Sequence, residues 1–497
     1  MTTRRSWPAH AAVLAGLGLV LSLAIALVSA RIVDLDLWHE LALAREIVRL
    51  GYVPAGDLFA FTPTVNPSVN HEWGAGMIAY AVLRAAGGTG IMILNSLLAV
   101  AVLALALEPA RRVGIKPALT AMAALPALVL LARGFPPVRA QAYSYVFLAA
   151  LLLMLRSDRL GSPRWIPLWL AVFVLWVNIH ASFVLAFAAV FLCAAAAAIE
   201  RRRSLHLWAL LPAMALLVLV NPYGLSMYAH LYRTLSMSRP MIGEWQTVWQ
   251  AVDAAGLIKV LAVTLPLFGY AVLRGMREPD GAAFVLITGA AGCLHTKMLP
   301  YYAVAWLAYV PLWLAQTSGA AEAVAIVMGR KRISQAVWAA LMAAAAAGLV
   351  ITRAWQPQVP DSGELLRYPV GAVEYLRENR FSGNVMTTFN HGAYVIWKLH
   401  PAVRVSMDSR YDVAYPESLV YENERAYGSG RACRAYAGNY GADAVIVERS
   451  AAIEKELAAA GWWPRVYRDR EFSVYARPGA GLPPLDRPDR GFAGTLP

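Results

Sequence analysis

Charge is scarce in this sequence. Only 15% of its 497 residues are Asp, Glu, Lys or Arg, against about 25% in ordinary soluble domains. With 59% hydrophobic residues and a mean hydropathy of +0.50, a water-soluble globule of this length is excluded, as are disordered and collagen-like chains. Cysteine is nearly absent: Cys193, Cys293 and Cys433 stand singly, which rules out a disulfide framework or a thiolate metal cluster and leaves them as small apolar fillers. A P-loop, a dinucleotide fingerprint, a catalytic triad in credible context and a fixed-period repeat are missing too.

What is present is long apolar runs. A bilayer core about 30 Å thick takes roughly 20 apolar residues as a helix, and the first run, about Ala9 to Ala30, is long enough. Arg4 and Arg5 precede it and Val28-Ser29-Ala30 imitates a signal-peptidase site, but a run of this length favours an uncleaved signal anchor. Either way, residue 31 onward is expected outside the cytoplasm. Further runs at roughly 89–107, 117–133, 140–155, 165–180, 183–199, 205–221, 256–273, 281–296, 299–315 and 333–352 bring the expected total to about eleven spans. Residues 165–199 as one helix would reach about 52 Å, so Asn178-Ile179-His180-Ala181-Ser182 is predicted to be a hairpin turn. His295-Thr296-Lys297 splits 281–315 for the same reason.

The net charge of +13 would point to nucleic acid in a soluble protein, but its distribution points elsewhere. With alternate loops assigned to the cytoplasm, Arg4, Arg5, Arg111, Arg112, Lys116, Arg156, Arg159, Arg164, Arg201–Arg203, Arg274, Arg277 and Arg330–Arg332 all fall inside, as the positive-inside rule demands. This holds if Trp73–Arg84 is an interfacial helix and does not span. The excess of positive charge is then a topology signal, and nucleic-acid binding loses its support. An odd span count places the C-terminal region outside.

From about Trp355 the chain turns polar, with 17 basic and 17 acidic side chains. Residues 355–477 are expected to form a small α/β domain separate from the transmembrane domain of residues 1–354, and the Pro- and Gly-rich 478–497 to be disordered. Strands are predicted at Asn384–Thr388, Tyr394–Lys398, Arg404–Met407, Ala444–Glu448 and Phe472–Arg477, and helices at Val370–Asn379 and Ala451–Ala459. Asp408 and Arg410 read as a sugar-binding loop or, nearly as well, as a turn ion pair worth about 0–1 kcal/mol if exposed.

The chemically unusual region is 31–88. Asp34-Leu35-Asp36-Leu37-Trp38-His39-Glu40 opens it, and Leu37, Leu41, Ala44 and Val48 then recur at helical spacing, closed by Gly51 and Pro54. An amphipathic helix on the membrane surface fits. Asp57-Leu58-Phe59-Ala60-Phe61-Thr62 and His71-Glu72-Trp73 follow. Carboxylates leaving a bilayer for water are commonplace; what marks this set is the company of its acidic side chains and two imidazoles, His39 and His71. Elsewhere the outer turns carry Arg133, Arg139, Asn178, His180, His230, Arg233, Arg239, Glu244, His295 and Lys297. Such cations anchor helices in headgroups or cradle a phosphate, while a carboxylate can take a proton from a hydroxyl.

The ordered set, from signal anchor through Asp-x-Asp-x-Trp-His, Asp57-x-Phe-x-Phe-Thr and His71-Glu72-Trp73, resembles the bacterial GT-C membrane glycosyltransferases. The branch it resembles is that of the protein mannosyltransferases and oligosaccharyltransferases. The motif covers about residues 34–73 and the architecture about 9–350. The resemblance implies a helical polytopic protein of the bacterial plasma membrane, a polyprenyl-phosphate-linked sugar donor, an extracytoplasmic acceptor and an essential Asp in the first external loop. Asp34 or Asp36 is then the base, the other orienting the acceptor or holding magnesium or manganese. His39, Asp57, His71, Glu72, Arg139, His180, His295 and Lys297 are the substrate-binding candidates. Trp38-His39 departs from the paired Trp common in related sequences. A lipid or solute transporter, or a scaffold with an external binding domain, is the competing class; transporters often show repeated halves, and none is apparent here.

Overall fold

The computed structural model describes residues 32–317, 358–359, 368–487 and 494–495, apart from 116, 136, 238, 240 and 241. The signal-anchor run and the run at 333–352 lie outside the described residues. Every expected apolar run between them coincides with a helix: α1 (Leu35–Leu50) precedes them, and α2 (Trp73–Arg112), α3 (Pro117–Leu131), α4 (Gln141–Arg159), α5 (Ile166–Ile179), α6 (Val184–Ile199), α7 (Leu205–Leu217), α8 (Ser226–Ser236), α9 (Ala254–Gly275), α10 (Pro279–Leu294) and α11 (Leu299–Ala315) follow. By length and composition, Trp73–Arg112, Ala181–Ile199, Ala254–Gly275 and Thr296–Ala315 are able to cross a membrane, with shorter apolar helices at Pro163–Ile179, Leu205–Leu217 and Pro279–Leu294. The chain is a multi-pass membrane protein. Within α2 the backbone leaves the helical conformation at Gly87, between the segment predicted to be interfacial and the one predicted to span.

The structure divides into two compact units. One holds Ile91–Val220 and the described residues of 238–317. Its central element is α11, buried along almost its whole length and packed by α3, α4, α9 and α10. Glycines let these helices approach: a Cβ at Gly275 would meet the Trp313 carbonyl oxygen at 2.0 Å, and one at Gly281 the Tyr309 ring at 2.5 Å. Trp306 Nε1 donates to the Ala123 carbonyl at 2.8 Å. The helix break predicted at Asn178–Ser182 is present. Asn178 Nδ2 donates to the Val174 and Val220 carbonyls at 2.9 and 2.8 Å, and His180 caps the turn by accepting from the Ser182 amide at 3.0 Å.

Loops assigned to one membrane side meet at one end of this unit. Arg156 contacts Glu278 at 2.6 Å, Arg159 contacts Glu200 at 2.8 Å and Asp280 at 3.0 Å, and His206 contacts Asp158 at 2.8 Å. Loops assigned to the other side meet likewise: Arg133 pairs with Asp253 and Arg139 with Glu244.

The second unit gathers Ile32–Gly90, Asn221–Met237 and Pro357–Pro497. Its frame is a six-stranded sheet: β1 (Gly383–Met386), β2 (Val403–Val405), β3 (Ala444–Glu448), β4 (Arg465–Arg468), β5 (Phe472–Ala476) and β6 (Leu485–Asp486), in the order β2-β1-β3-β5-β4-β6. β1 is parallel to both β2 and β3, β3–β5 and β5–β4 are antiparallel, and β6 is parallel to β4. Helix α12 (Val370–Glu378) precedes β1, and α13 (Gly392–Leu399), α14 (Tyr411–Ala414), α15 (Glu417–Gly428), α16 (Gly430–Tyr440) and α17 (Ala452–Ala460) connect the strands. Ile32 pairs in parallel with Gln358, and Gly494–Thr495 runs antiparallel to the same short strand.

Two differences from expectation stand out here. Tyr394–Lys398, predicted as a strand, lies in α13: its Ala393, Tyr394, Val395, Ile396 and Leu399 are all buried, and a short run buried on every side carries no periodicity to tell helix from strand. The stretch 478–497, predicted to be disordered, contains the paired strand β6, and Tyr375 donates its hydroxyl to the Pro483 carbonyl at 2.7 Å.

Candidate functional site

The carboxylate-rich loop is built on α1. Asp34 is its N-cap residue, in extended conformation, and Gly51 closes the helix in the left-handed conformation (φ 80°), its amide donating to the Ile47 carbonyl at 2.8 Å. The expected one-sided amphipathic helix is instead buried from Leu37 through Ala44 and again at Glu46 and Ile47, while Val48, assigned to the apolar face, is 60% exposed. The reason is tertiary: α13 packs on α1. Trp38 sits edge-on between Tyr368 (5.6 Å) and Tyr394 (5.1 Å), and Arg45 donates to the Trp397 and His400 carbonyls at 3.0 and 3.3 Å, completing the C-terminus of α13.

On the other side of α1 lies the start of α2. A Cβ at Gly76 would come within 2.7 Å of the Glu40 carbonyl oxygen, so the two helices touch backbone to side chain-free backbone there. This approach brings Glu40, 3% exposed, against Glu72. Burial first, then the negative charges of Glu72 and Asp36 and a hydrogen bond with Glu72, push the Glu40 carboxyl well above its ordinary range. Glu72 also meets His71, Oε1 to Nε2, at 3.4 Å, and the His71 Nδ1 lies 3.1 Å from Nε2 of the buried His230 on α8. Asp34, Asp36, Glu40, Glu72, His71 and His230 thus form one polar group within one unit. Glu40, part of the opening motif, and His230, one of the outer-turn residues, were given no catalytic or substrate-binding role from the sequence: a lone Glu in a helix and a His more than 150 residues away give no local signal that they meet.

His39 is buried, and its Nδ1 lies 3.1 Å from Ser409 Oγ. Burial and then the nearby Arg410 charge lower its pKa to about 4, so the ring is neutral at pH 7. Asp57 accepts from the Phe59 and Ala60 amides at 3.0 and 2.7 Å with one oxygen and pairs with Arg410 through the other. Arg410 also grips Asp408, Nε to Oδ1 at 2.9 Å and Nη2 to Oδ2 at 2.6 Å, and Tyr415 donates to Asp408 at 2.7 Å. Burial would raise the Asp408 carboxyl; the Arg410 guanidinium overrides it and holds the group below its ordinary range. Asp408 and Arg410, read from the sequence as a sugar-binding loop or a turn ion pair, are an ion pair within a fully buried, charge-assisted cluster that includes Asp57, with both oxygens of Asp57 engaged.

The cationic candidates belong to the other unit. Arg139, His295 and Lys297 converge on the turn Gly243–Trp245: Arg139 Nη1 meets Glu244 at 2.6 Å, His295 Nδ1 donates to the Trp245 carbonyl at 2.8 Å, and Lys297 Nζ lies 5.4 Å from the Trp245 ring centre. Arg239 stacks on the same ring at 4.3 Å. Although burial raises the Glu244 carboxyl, Arg139 and then Lys297 hold it below its ordinary range. His180 is engaged in its own turn, where Nδ1 also lies 2.6 Å from Ser182 Oγ, which accepts from Tyr301 at 2.7 Å. Chemically, this unit offers positive charge beside an aromatic face, and the other offers buried carboxyls at the head of a rigid helix.

No family model matches the sequence, and no curated protein matches it significantly. Solved structures do. The chain is similar to the oligosaccharyltransferase of Archaeoglobus fulgidus in its apo form (TM-score 0.56, 10% identity, over 97% of this chain and 75% of that one). It is similar to AglB from the same archaeon in complex with an inhibitory peptide and a dolichol-phosphate (TM-score 0.52, 9% identity, 90% and 70%). ArnT from Cupriavidus metallidurans bound to undecaprenyl phosphate matches over 95% of this chain and 99% of its own (TM-score 0.52, 12% identity). Likenesses of this extent show the fold alone, one that the chain shares with these oligosaccharyltransferase and ArnT structures.

Proposed function

We propose, on the premise of this shared fold, that the protein is a membrane glycosyltransferase that moves a sugar from a polyprenyl-phosphate donor to an extracytoplasmic acceptor with inversion. The observation that carries the reading is the carboxylate group at the head of α1, in a fold whose solved representatives hold dolichol-phosphate and undecaprenyl phosphate.

In the proposed reaction the acceptor hydroxyl oxygen attacks the anomeric carbon. The bond from that carbon to the phosphate oxygen breaks, the phosphate leaves with the electron pair, and the hydroxyl proton passes to Asp34 or Asp36. Phosphate is already a good leaving group, so a base and positive charge matter more than a strong acid. Arg139, His295 and Lys297 are the proposed source of that charge. Glu40, which keeps its proton to higher pH, is suited to donate to Glu72 rather than to act as base. A magnesium or manganese ion would find two oxygen donors in Asp34 and Asp36. Among the described residues no group of three or more His, Cys, Asp or Glu side chains is arranged to hold a metal, so no step is assigned to an ion.

The proposed setting is the bacterial plasma membrane, with about eleven spans, the N-terminus cytoplasmic and residues 355–477 outside. The loop charges support this sidedness. Replacing Asp34 and Asp36 separately by Asn and measuring transfer of labelled sugar from a polyprenyl phosphate tests the assignment. Each loses at least about 100-fold if it is the base. Full transfer by both variants would refute the base, and substrate flux without glycosyl transfer would favour a transporter.

A further inference from the structure

Segment Ser406–Arg410 follows β2 at the carboxyl ends of the parallel strands β1, β2 and β3, where open α/β sheets ordinarily take their ligands. Here that end receives the chain's own first loop. The Phe61 amide donates to the Val405 carbonyl at 3.1 Å, the Val405 amide to the Phe59 carbonyl at 2.9 Å, and Thr62 Oγ1 to the Ser406 carbonyl at 2.7 Å. Asp57 closes on Arg410, and His39 reaches Ser409. Ser409 stands between Asp408 and Arg410, whose mutual grip and the Arg410 amide bond to Asp408 Oδ1 at 2.9 Å leave the segment little freedom. A close approach seats it further: a Cβ at Gly392, the first residue of α13, would lie 1.8 Å from the Met407 carbonyl oxygen.

On α1, His39 comes three residues after Asp36, so the two side chains share one side of the helix. We propose that Ser409 is a positioning residue for the transfer reaction: by holding His39 it fixes the rotation of α1 about its axis and so aims Asp36, and Asp34 at the helix head, toward the reacting atoms. This rests on the glycosyltransferase reading above. The sheet's ligand end then serves as a seat for the catalytic helix.

The test uses the full chain in detergent or proteoliposomes, with Ser409→Ala, Ser409→Thr, His39→Ala and the Ser409→Ala/His39→Ala pair. Ser409→Ala should lower kcat by about tenfold or more with the donor KM nearly unchanged, because misaligned groups cost rate rather than ground-state binding. Ser409→Thr, which keeps the hydroxyl, should restore most of it, and the double variant should be no worse than the poorer single one. Amide exchange at residues 37–41 should quicken in Ser409→Ala and recover in Ser409→Thr. Wild-type kcat and wild-type exchange in Ser409→Ala overturn the proposal, as does a kcat loss that follows melting temperature and is not restored by Thr. If exchange responds as expected but the wild-type protein transfers no sugar from any polyprenyl phosphate, the transferase reading itself falls, and the catalytic role of Ser409 with it.

Discussion

His230 and His71 face each other with Nε2 and Nδ1 3.1 Å apart and ring centres 5.0 Å apart, so one ring must donate and the other accept. Removing either ring takes a hydrogen bond and a ring contact from a part-buried position. His71→Ala and His230→Ala are each expected to cost about 1–3 kcal/mol, and the pair to fall short of the sum by about 0.5 kcal/mol or more. Thermal melting of the four proteins measures this; simple additivity would mean the contact contributes nothing.

Glu40 makes stability fall as pH rises. Its folded carboxyl titrates above the ordinary 4.5, so the stabilisation it lends is complete below that pH and is lost as pH climbs through the raised value. Glu40→Gln keeps the shape without the charge. The variant should match or exceed wild type in melting temperature near neutrality, with a gap that widens on the alkaline side. Parallel curves for the two proteins between pH 5 and about 9 would contradict the burial argument.

Arg410 lies between Asp57 and Asp408 with all three side chains almost fully buried. Arg410→Ala leaves two carboxylates facing each other without a counter-charge, at a cost of about 3–5 kcal/mol, which should appear as failure to accumulate or as rapid proteolysis of 368–487. Arg410→Lys should recover little, since a single ammonium cannot reproduce three directed contacts. Acid works the same way as the Ala change: Asp408 titrates below its ordinary value, so its stabilisation is full above that ordinary value and disappears as pH falls through the lowered one.

Undecaprenyl phosphate should raise the protein's melting temperature by binding the folded state. Arg139→Ala and Lys297→Ala are expected to weaken that binding about tenfold each, in keeping with the loss of one charge-assisted contact. Titration of the melting shift with the lipid measures it. Unchanged shifts in both variants would remove the Gly243–Trp245 turn from consideration as a phosphate site.

Gly392→Ala should be more damaging than a methyl group suggests, because its Cβ would overlap the Met407 carbonyl oxygen, a backbone atom in a sheet loop. A loss of about 1–3 kcal/mol in melting, with transfer reduced alongside, is expected. A fully stable variant would show that α13 can shift on its seat.

The helices at 89–315 could be read from the sequence because their signal is local: twenty apolar residues have few uses other than crossing or filling a bilayer. Gly51 and the turns at His180 and His295 were legible for the same reason, since chain reversal must fall where polarity interrupts a run too long to span. The partners of α1 were not. An amphipathic pattern states which residues avoid water, but Glu40 and Glu46 are buried by α2, α13 and residues some 350 positions distant, and no window on the sequence contains both sides of those contacts. The meaning of His39 was hidden likewise. In the sequence it reads as a departure from the motif the chain resembles, whereas in the fold it answers Ser409, 370 residues away.

That separation has a consequence for how the protein is made. Residues 34–62 are synthesised early, yet Arg410, which locks Asp57, follows 353 residues later. The ribosome delivers residues at about 5–20 per second, so the carboxylates of the first loop wait tens of seconds for the segment that seats them. During that interval every apolar helix of the chain through α11 has already emerged. A chain cut short before β2 would carry the motif by which it is recognised without the clamp at Arg410, and completion of translation therefore acts as the moment at which α1 acquires its seat.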